Sequence, residues 1–472
     1  MLTLADMIEA LHGVRPAGSS LGISEAVVDS RLAIPGSLFV AIKGERTDGH
    51  EYVAEAFKHG AHLALVEKEI SAEIPVIDLT STSDLNQPFP PAPFALRVDN
   101  TVKALQRIAA FWRSRFNVRV IGITGSVGKS TTKELTAEIL SKRFRTLKNQ
   151  GNLNNEIGLP LTLLRLGPAY QHVVLEMGFY EPHDIELLCD IAQPQVGVLT
   201  NIGTVHASRA KSQEAIVRGK SELVQALPPS PVGTAILNKD DPLIVSMQDL
   251  TEATIFFYGL DPSADLWADE IESQGLEGIR FKIHYMNDSF NLQAPLIGQH
   301  SIHTILRAVS VALVEGLTWS EIITGLKYAS SQLRLVVVKT RHGALLLDDT
   351  YNASPESMLA ALNLLQELPG RKVAVLGGMN ELGPYEQSGH QKVGLRAAEV
   401  TDHLITYKEN GRMIHEAVKT TGFPAQHLVH FETQEEVVAE LDAILRAGDV
   451  VLVKGAHSLR MDNIVQALER EE

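Results

Sequence analysis

Apolar and polar positions alternate along this chain in a way that spells strand, then helix, many times over. The apolar residues of Val102–Phe116 fall at 102, 105, 108, 109, 112 and 116, the spacing of one helical face. Val118, Val120, Ile121 and Ile123 then form a β-branched strand, and helix-compatible sequence runs from Thr131 to about Arg143. Strand-like runs at His172–Glu176, Val196–Asn201, Ala235–Asn238 and Thr254–Tyr258 alternate with helical ones. Such alternation predicts a parallel sheet covered on both faces. Residues 266 to 293 read as short strands and 300 to 316 as a helix. From about residue 328 the pattern restarts. Apolar runs at Ala344–Leu347, Lys372–Leu376, His403–Thr406 and Val450–Val453 each precede a helical stretch, which predicts a second nucleotide-fold-like unit. There is no short-period repeat and no low-complexity tail.

A proline cluster, Pro88, Pro90, Pro91 and Pro93, cannot continue a helix or a central strand and marks a loop near a domain boundary. The expected division is therefore 1–97, 98–327 and 328–472. The expected class is α/β: a small mixed α/β N-terminal domain, a central P-loop-type parallel-sheet ATPase domain and a C-terminal Rossmann-like α/β domain. With 472 residues, 44% hydrophobic and 21% charged, the chain has the composition of a soluble globular protein with several cores. Its net charge of −15 argues against a general nucleic-acid binder, which needs a basic face. The single Cys189 excludes an internal disulfide framework and a cysteine metal cage. It sits in an apolar helical context, so a buried helix position is expected. The N-terminus lacks the basic and apolar regions of a signal peptide, and no apolar run approaches the roughly 18 residues that span a bilayer. A cytoplasmic enzyme, with no nucleic-acid partner and no transmembrane segment, is expected.

The chemistry concentrates in Val120–Lys133, Val-Ile-Gly-Ile-Thr-Gly-Ser-Val-Gly-Lys-Ser-Thr-Thr-Lys. Strand, glycine turn and helix N-terminus together aim backbone N–H groups and the positive helix end at a phosphate chain. Gly125 and Gly128 let the backbone turn and approach, Lys129 can neutralise phosphate oxygens, and the Ser130 hydroxyl can ligate Mg²⁺. The strict phosphate-loop pattern asks for glycine at 123 and finds Ile123, with Gly122 just before it. Thr124, Gly125, Ser126, Gly128, Lys129, Ser130 and Thr131 are the expected nucleotide-binding set, and ATP the expected nucleotide. A dehydrogenase is disfavoured, because Lys-Ser follows the glycine turn where Gly-x-Gly-x-x-Gly would be needed.

Further runs resemble the Mur ligase family, which adds amino acids to UDP-N-acetylmuramoyl peptides. In order they are Asp29-Ser-Arg, Pro35-Gly-Ser-Leu-Phe-Val-Ala-Ile-Lys-Gly, Asp48-Gly-His, Thr124-Gly-Ser-Val-Gly-Lys-Ser-Thr-Thr-Lys and Gly151-Asn-Leu-Asn-Asn-Glu-Ile-Gly-Leu-Pro-Leu-Thr. Leu175-Glu-Met-Gly, Thr200-Asn-Ile-Gly-Thr-Val-His, Gly219-Lys-Ser-Glu, Asp348-Asp-Thr-Tyr-Asn-Ala-Ser-Pro and Val453-Lys-Gly follow. Their shared order is far more specific than any one of them. The resemblance implies that Ser30, Arg31, Lys43, His50 and Asn155 hold the substrate, a UDP-MurNAc-tripeptide, with D-alanyl-D-alanine as its partner. It implies ATP-dependent amide formation through an acyl phosphate, in a monomer whose C-terminal domain closes over the site. Asp349, Tyr351 and Asn352 would then meet the nucleotide, although the Asp348-Asp349 pair could instead cap the helix that Pro355 opens.

Glu176 ends an apolar strand and His206 follows the next, which puts both at the carboxyl edge where ligands collect in open α/β sheets. Ser130, Glu176 and a phosphate suit a hard Mg²⁺ ion. By resemblance His206 helps bind a second magnesium, and Lys220 is carbamylated by CO₂ to become an anionic oxygen ligand. From its neighbours alone Lys220 reads as a solvated helix lysine. Lys129, Lys220, Glu176 and His206 are thus the expected catalytic residues, and Ser130, Glu176, His206 and Lys220 the expected metal ligands. The chain departs from the family's pattern at Ser301 and Thr304, where asparagines are usual, and at Gln332, Gly378, Ala456 and His457, with Arg334 near the third of these sites. Rivals are a diamino-acid-adding sister ligase, disfavoured by the absence of Asp-Asn-Pro-Arg, a folate- or cyanophycin-type ligase, and a nucleotide-binding scaffold without activity.

Overall fold

The computed structural model describes residues 1–16, 20–44, 47–81, 89–203, 212–327 and 336–469. His206, Gln332 and Arg334 lie outside them. The chain forms two compact units: 1–122 with 144–178 and 183–195, and 123–143 with 179–182 and 196–472. It passes from the first to the second inside the strand Arg119–Thr124. These units are defined by packing alone and cut through the central segment. A physical reason lies in the first unit, where the Thr101–Ser114 helix packs on Leu4–His12, Gly158–Leu163 and Asp184–Ala192 and so joins the N-terminal residues to part of the central segment.

The first unit contains a five-stranded sheet in the order Ala26–Val27, Leu38–Val40, Leu63–Val66, Phe94–Arg97, Val76–Asp78, with every neighbour parallel. Phe39, Ala64, Val66 and Ala95 turn one face into a core closed by Val53 and Ala56 of the helix Val53–Lys58. The Phe94–Arg97 strand begins directly after the proline cluster. Thr101–Ser114 is capped by Asn100, which accepts from Lys103 N at 2.8 Å, and buries the predicted Leu105, Ile108, Ala109 and Trp112. Thr146–Lys148 and His172–Glu176 pair in parallel, the second strand with the bounds expected of it. Cys189 lies buried in the helix Asp184–Ala192, as its apolar setting predicts.

In the second unit Val196–Leu199, Thr234–Asn238, Thr254–Gly259 and Leu266–Ser273 run parallel, and Ile279–Tyr285 and Asp288–Ala294 continue antiparallel. The phosphate-loop helix spans Lys129–Leu140 and packs against Ser301–Val314 and Trp319–Lys327. It starts two residues earlier than its apolar pattern indicated, because Gly128 is its N-cap.

A six-stranded sheet follows, in the order Val336–Lys339, Leu345–Asp349, Val450–Lys454, Lys372–Gly377, His403–Tyr407, Leu428–Phe431. Only its first pair is antiparallel. Leu347, Ala374, Leu376, Leu404 and Leu452 enter one core, while Leu346, Val373, Val375, Ile405, Val451 and Val453 enter the other. Successive side chains point to opposite faces, so a sheet buried on both sides shows continuous apolar runs. Those runs are what the sequence displays.

Candidate active site

The phosphate loop begins where Thr124, fully buried, accepts from Thr200 N at 2.9 Å. Gly125 has φ +140° and Gly128 φ +83°, values that favour glycine. A Cβ on Gly125 would overlap the Thr200 hydroxyl and stand 2.9 Å from Thr200 Cβ and 3.0 Å from its backbone N. Ser126 N donates to Asn201 O at 2.9 Å, Val127 N to Asn201 Oδ1 at 2.8 Å, and Gly203 N to Ser126 Oγ at 2.8 Å. The loop is thereby clamped onto the segment after Val196–Leu199. Ser130 and Thr131 lie half-buried at the positive end of the helix, in its first turn. The Lys129 ammonium folds over the loop and donates to Gly125 O at 2.9 Å and Ser126 O at 3.2 Å.

Lys220 corrects its solvated reading. It is 1% exposed on the helix Gln213–Gln225, with its amine 5.1 Å from the Phe179 ring centroid. The neighbouring Gly219 makes this possible, because a Cβ there would come within 2.7 Å of Phe179 Cζ and 2.8 Å of Cδ2. Burial holds the Lys220 amine well below the usual lysine range, and the Lys129 charge lowers it further. A neutral amine is nucleophilic towards CO₂; an ammonium is not.

Glu176, in the first unit, is buried at the end of its strand. Asn149 brackets its backbone, donating to Glu176 O at 3.0 Å and accepting from Glu176 N at 3.0 Å, while Asn154 Nδ2 donates to Oε1 at 2.9 Å. These two asparagines are positioning residues that sequence reasoning passed over, although Asn154 lies in a quoted run. Among the described residues no three His, Cys, Asp or Glu side chains gather into a metal cage. The expected ligands Ser130 and Glu176 each carry oxygen donors, a chemistry that suits Mg²⁺ better than a transition metal.

Among the expected substrate residues, Asn155 accepts from Gly158 N at 2.9 Å at the start of Gly158–Leu163. Arg31 is exposed and forks onto Asp29 through Nε at 2.9 Å and Nη2 at 2.7 Å. Ser30 is buried between them in the chain, and Lys43 is exposed. His50 is buried with both ring nitrogens engaged: Nε2 accepts from Glu67 N at 2.9 Å, so Nδ1 carries the proton donated to Asp48 Oδ1 at 2.6 Å. Lys68 and His50 together hold the Asp48 carboxyl well below the usual range. His50 thus shapes its loop from inside.

Lys454, 2% exposed, ties together the segment expected at the nucleotide. It meets Asp349 Oδ2 at 2.7 Å and Asn352 O at 2.8 Å. Tyr351 is exposed and stands edge-on to His457, centroids 5.9 Å apart. The capping alternative for Asp348-Asp349 is overturned, because Ser354 caps the Pro355–Glu367 helix reciprocally with Ser357. Ser301 turns back to Ile297 O at 2.7 Å. Gly378 has no room for a side chain, since a Cβ there would overlap that of Asn410 and reach 3.1 Å from its Cα. Ala456 is buried, its N–H bonded to Gly378 O at 3.0 Å. Thr304 Oγ1 accepts from Arg307 Nη2 at 2.8 Å. Arg307 was not foreseen, though a charged residue three positions after Thr304 on an apolar helix is a visible signal.

Three family models match the sequence: "Mur ligase family, catalytic domain" over residues 23–113, "Mur ligase middle domain" over 123–312 and "Mur ligase, glutamate ligase domain" over 333–457. The UDP-N-acetylmuramoyl-tripeptide--D-alanyl-D-alanine ligase of Synechocystis sp. is 35% identical, covering 98% of this chain and 95% of its own. The chain belongs to the Mur ligase family. The Bacillus subtilis ligase of the same name is 31% identical over 99% of this chain and 98% of its own. Among solved structures, MurF from Acinetobacter baumannii superposes with a TM-score of 0.84 at 31% identity, over 98% of this chain and 97% of that one. MurF from Thermotoga maritima in complex with ADP gives 0.79 at 27% identity, over 94% and 96%. A Mycobacterium tuberculosis folylpolyglutamate synthase, 14% identical with a TM-score of 0.62, shares the fold alone.

Proposed function

We propose that this Mur ligase joins D-alanyl-D-alanine to a UDP-MurNAc-tripeptide with cleavage of ATP to ADP and phosphate, a step of peptidoglycan precursor synthesis. The observation that carries this reading is the full-length likeness to ligases of that name. The clamped phosphate loop and the buried Lys220 support it from the chemistry. Residues 1–97 form the UDP-sugar domain, 98–327 the ATP-binding domain and 328–472 the C-terminal ligase domain of a cytoplasmic monomer. Among the described residues no helix is long and apolar enough to cross a membrane.

In the first step a carboxylate oxygen of the tripeptide attacks the γ-phosphorus, the bond to ADP breaks, and an acyl phosphate forms. The helix N-terminus and Lys129 hold the phosphates while charge moves onto the leaving oxygens. In the second step the dipeptide amine attacks the acyl carbon, a tetrahedral intermediate forms and expels phosphate, and the nitrogen loses a proton. Ser130, Glu176 and Lys220, with His206, would hold magnesium, which supplies further neutralisation of phosphate oxygens when bound. Lys220 reaches that role by adding its neutral amine to CO₂, giving a carbamate and releasing one proton. Asp349, Tyr351 and Asn352 serve the nucleotide, and Ser30, Arg31, Lys43, His50 and Asn155 the UDP-sugar side.

The test is incubation with ATP, Mg²⁺, UDP-MurNAc-tripeptide and D-alanyl-D-alanine, with mass detection of the pentapeptide product. Product that requires all four components is the expected result. ATP consumption without pentapeptide would refute the substrate assignment, and ATP binding without any turnover would refute the enzyme.

A further inference from the structure

Arg307 is a buried cation at the phosphate loop for which the steps above have no use. It sits 5% exposed on the Ser301–Val314 helix, beside apolar Leu306 and Ala308. Nε donates to Thr132 Oγ1 at 2.8 Å, Nη2 to Thr304 Oγ1 at 2.8 Å, and Nη1 points to the Tyr258 hydroxyl at 3.5 Å. All three partners are neutral. Among the described residues no carboxylate forms an ion pair with it. A buried charge without a counter-charge is costly to keep, and an apolar side chain would fill the same helix position at less cost.

The guanidinium is aimed at the loop itself. A Cβ on Gly128 would stand 2.9 Å from Nη2 and 3.9 Å from Thr304 Oγ1. Thr132 Oγ1, which accepts from Arg307, in turn donates to Gly128 O at 2.7 Å. Arg307 is therefore braced against the residue that caps the anion-facing helix. A guanidinium has five N–H groups, and its three protein contacts leave one on each Nη nitrogen. Tyr258 is fully buried, donates to Leu199 O and Thr200 O at 2.9 and 3.0 Å, and burial pushes its hydroxyl up to about 12.

We infer that Arg307 is a nucleotide-binding residue whose remaining N–H groups contact the polyphosphate from the Gly128 side of the loop. The missing counter-charge is the nucleotide. This rests on the loop's assignment to ATP, and the experiment separates the two. Full-length wild type, Arg307→Met and Arg307→Lys are titrated calorimetrically with ATP, ADP and UDP-MurNAc-tripeptide in Mg²⁺ buffer, and their unfolding midpoints are measured. Loss of charged hydrogen bonds should weaken ATP and ADP binding by about tenfold or more in Arg307→Met. UDP-MurNAc-tripeptide binding should be unchanged, and Arg307→Lys should recover part of the loss. Wild-type ATP affinity in Arg307→Met would overturn the inference. So would equal weakening of ATP and UDP-MurNAc-tripeptide binding, the mark of a structural brace. If Arg307→Met does not fold, Arg307→Lys decides: several-fold weaker ATP binding supports the contact, and unchanged binding overturns it. Wild type that binds no ATP would instead strike the loop's own assignment.

Discussion

Gly125→Ala is the sharpest test of the phosphate loop. The added methyl would overlap the Thr200 hydroxyl and meet Thr200 Cβ at 2.9 Å and N at 3.0 Å, while ordinary contact begins at 3.4 Å. Rotating the threonine relieves only the first of these. Thr200 cannot retreat, because its N–H is bonded to Thr124 O at 2.9 Å and the next residue accepts from Ser126 N. The loop itself must move, and alanine at φ +140° adds backbone strain of roughly 1–3 kcal/mol. A shift of about 1 Å in a phosphate-holding group lowers turnover roughly a hundredfold. We expect that loss in pentapeptide formation, together with weaker ATP binding and little change in UDP-MurNAc-tripeptide binding. Adding Thr200→Gly removes the side-chain overlaps but leaves the backbone N, so rescue should be partial. The assay is steady-state turnover with calorimetric ATP titration. Turnover and ATP affinity within about twofold of wild type in Gly125→Ala would refute the geometric reasoning.

Lys129→Ala and Lys220→Ala should each lower turnover roughly a hundredfold or more, by removing a preorganised electrostatic group or the proposed carbamate oxygen. Near-normal kcat in either variant would sink its catalytic role. Lys454→Met should destabilise the chain by on the order of 3 kcal/mol in urea unfolding, because it leaves Asp349 without its buried partner. It should also raise KM for ATP. Arg143 and Thr318 hold the Glu321 carboxyl down to about 2. A carboxylate depressed in the folded state stabilises above its unfolded pKa and loses that contribution as pH falls through the folded one. Glu321→Gln should therefore lower the unfolding midpoint at pH 7, and the gap to wild type should close between about pH 4.5 and about 2. A gap that persists at pH 2 would contradict the assignment.

Buried parallel strands were legible because nothing interrupts them. His172–Glu176 is apolar or aromatic up to its terminal carboxylate and fully buried, so its bounds could be read directly. The sheet's outer strands were not legible. Leu428–Phe431 is half-buried at every position, which erases both the alternation and the apolar run that identify a strand. Val336–Lys339 carries no turn signal to separate it from the residues before it, and its pairing with Leu345–Asp349 comes from the tertiary fold. The strand and glycine turn of the phosphate loop were readable because they occupy one continuous run, while the helix after them starts at Lys129 and not at Thr131.

What escaped the sequence is the part of the site made by distant residues. Arg218 and Glu222 flank Lys220 on its helix and suggest a solvated face, but Phe179, from a different segment, covers the amine. That covering decides the chemistry. Lys129 and Lys220 lie close enough for one charge to depress the other, and they differ in what surrounds them. Lys129 has two loop carbonyls to accept its protons and remains a point charge for phosphate. Among the described residues Lys220 has an aromatic face beside it and burial around it, so its amine is held well below the usual lysine range. Two identical side chains thus meet opposite surroundings, one favouring the charged form and the other disfavouring it. Trimming Phe179 to alanine would let water reach Lys220 and favour its charged form, and should therefore lower the proposed carbamate formation while leaving both lysines in place.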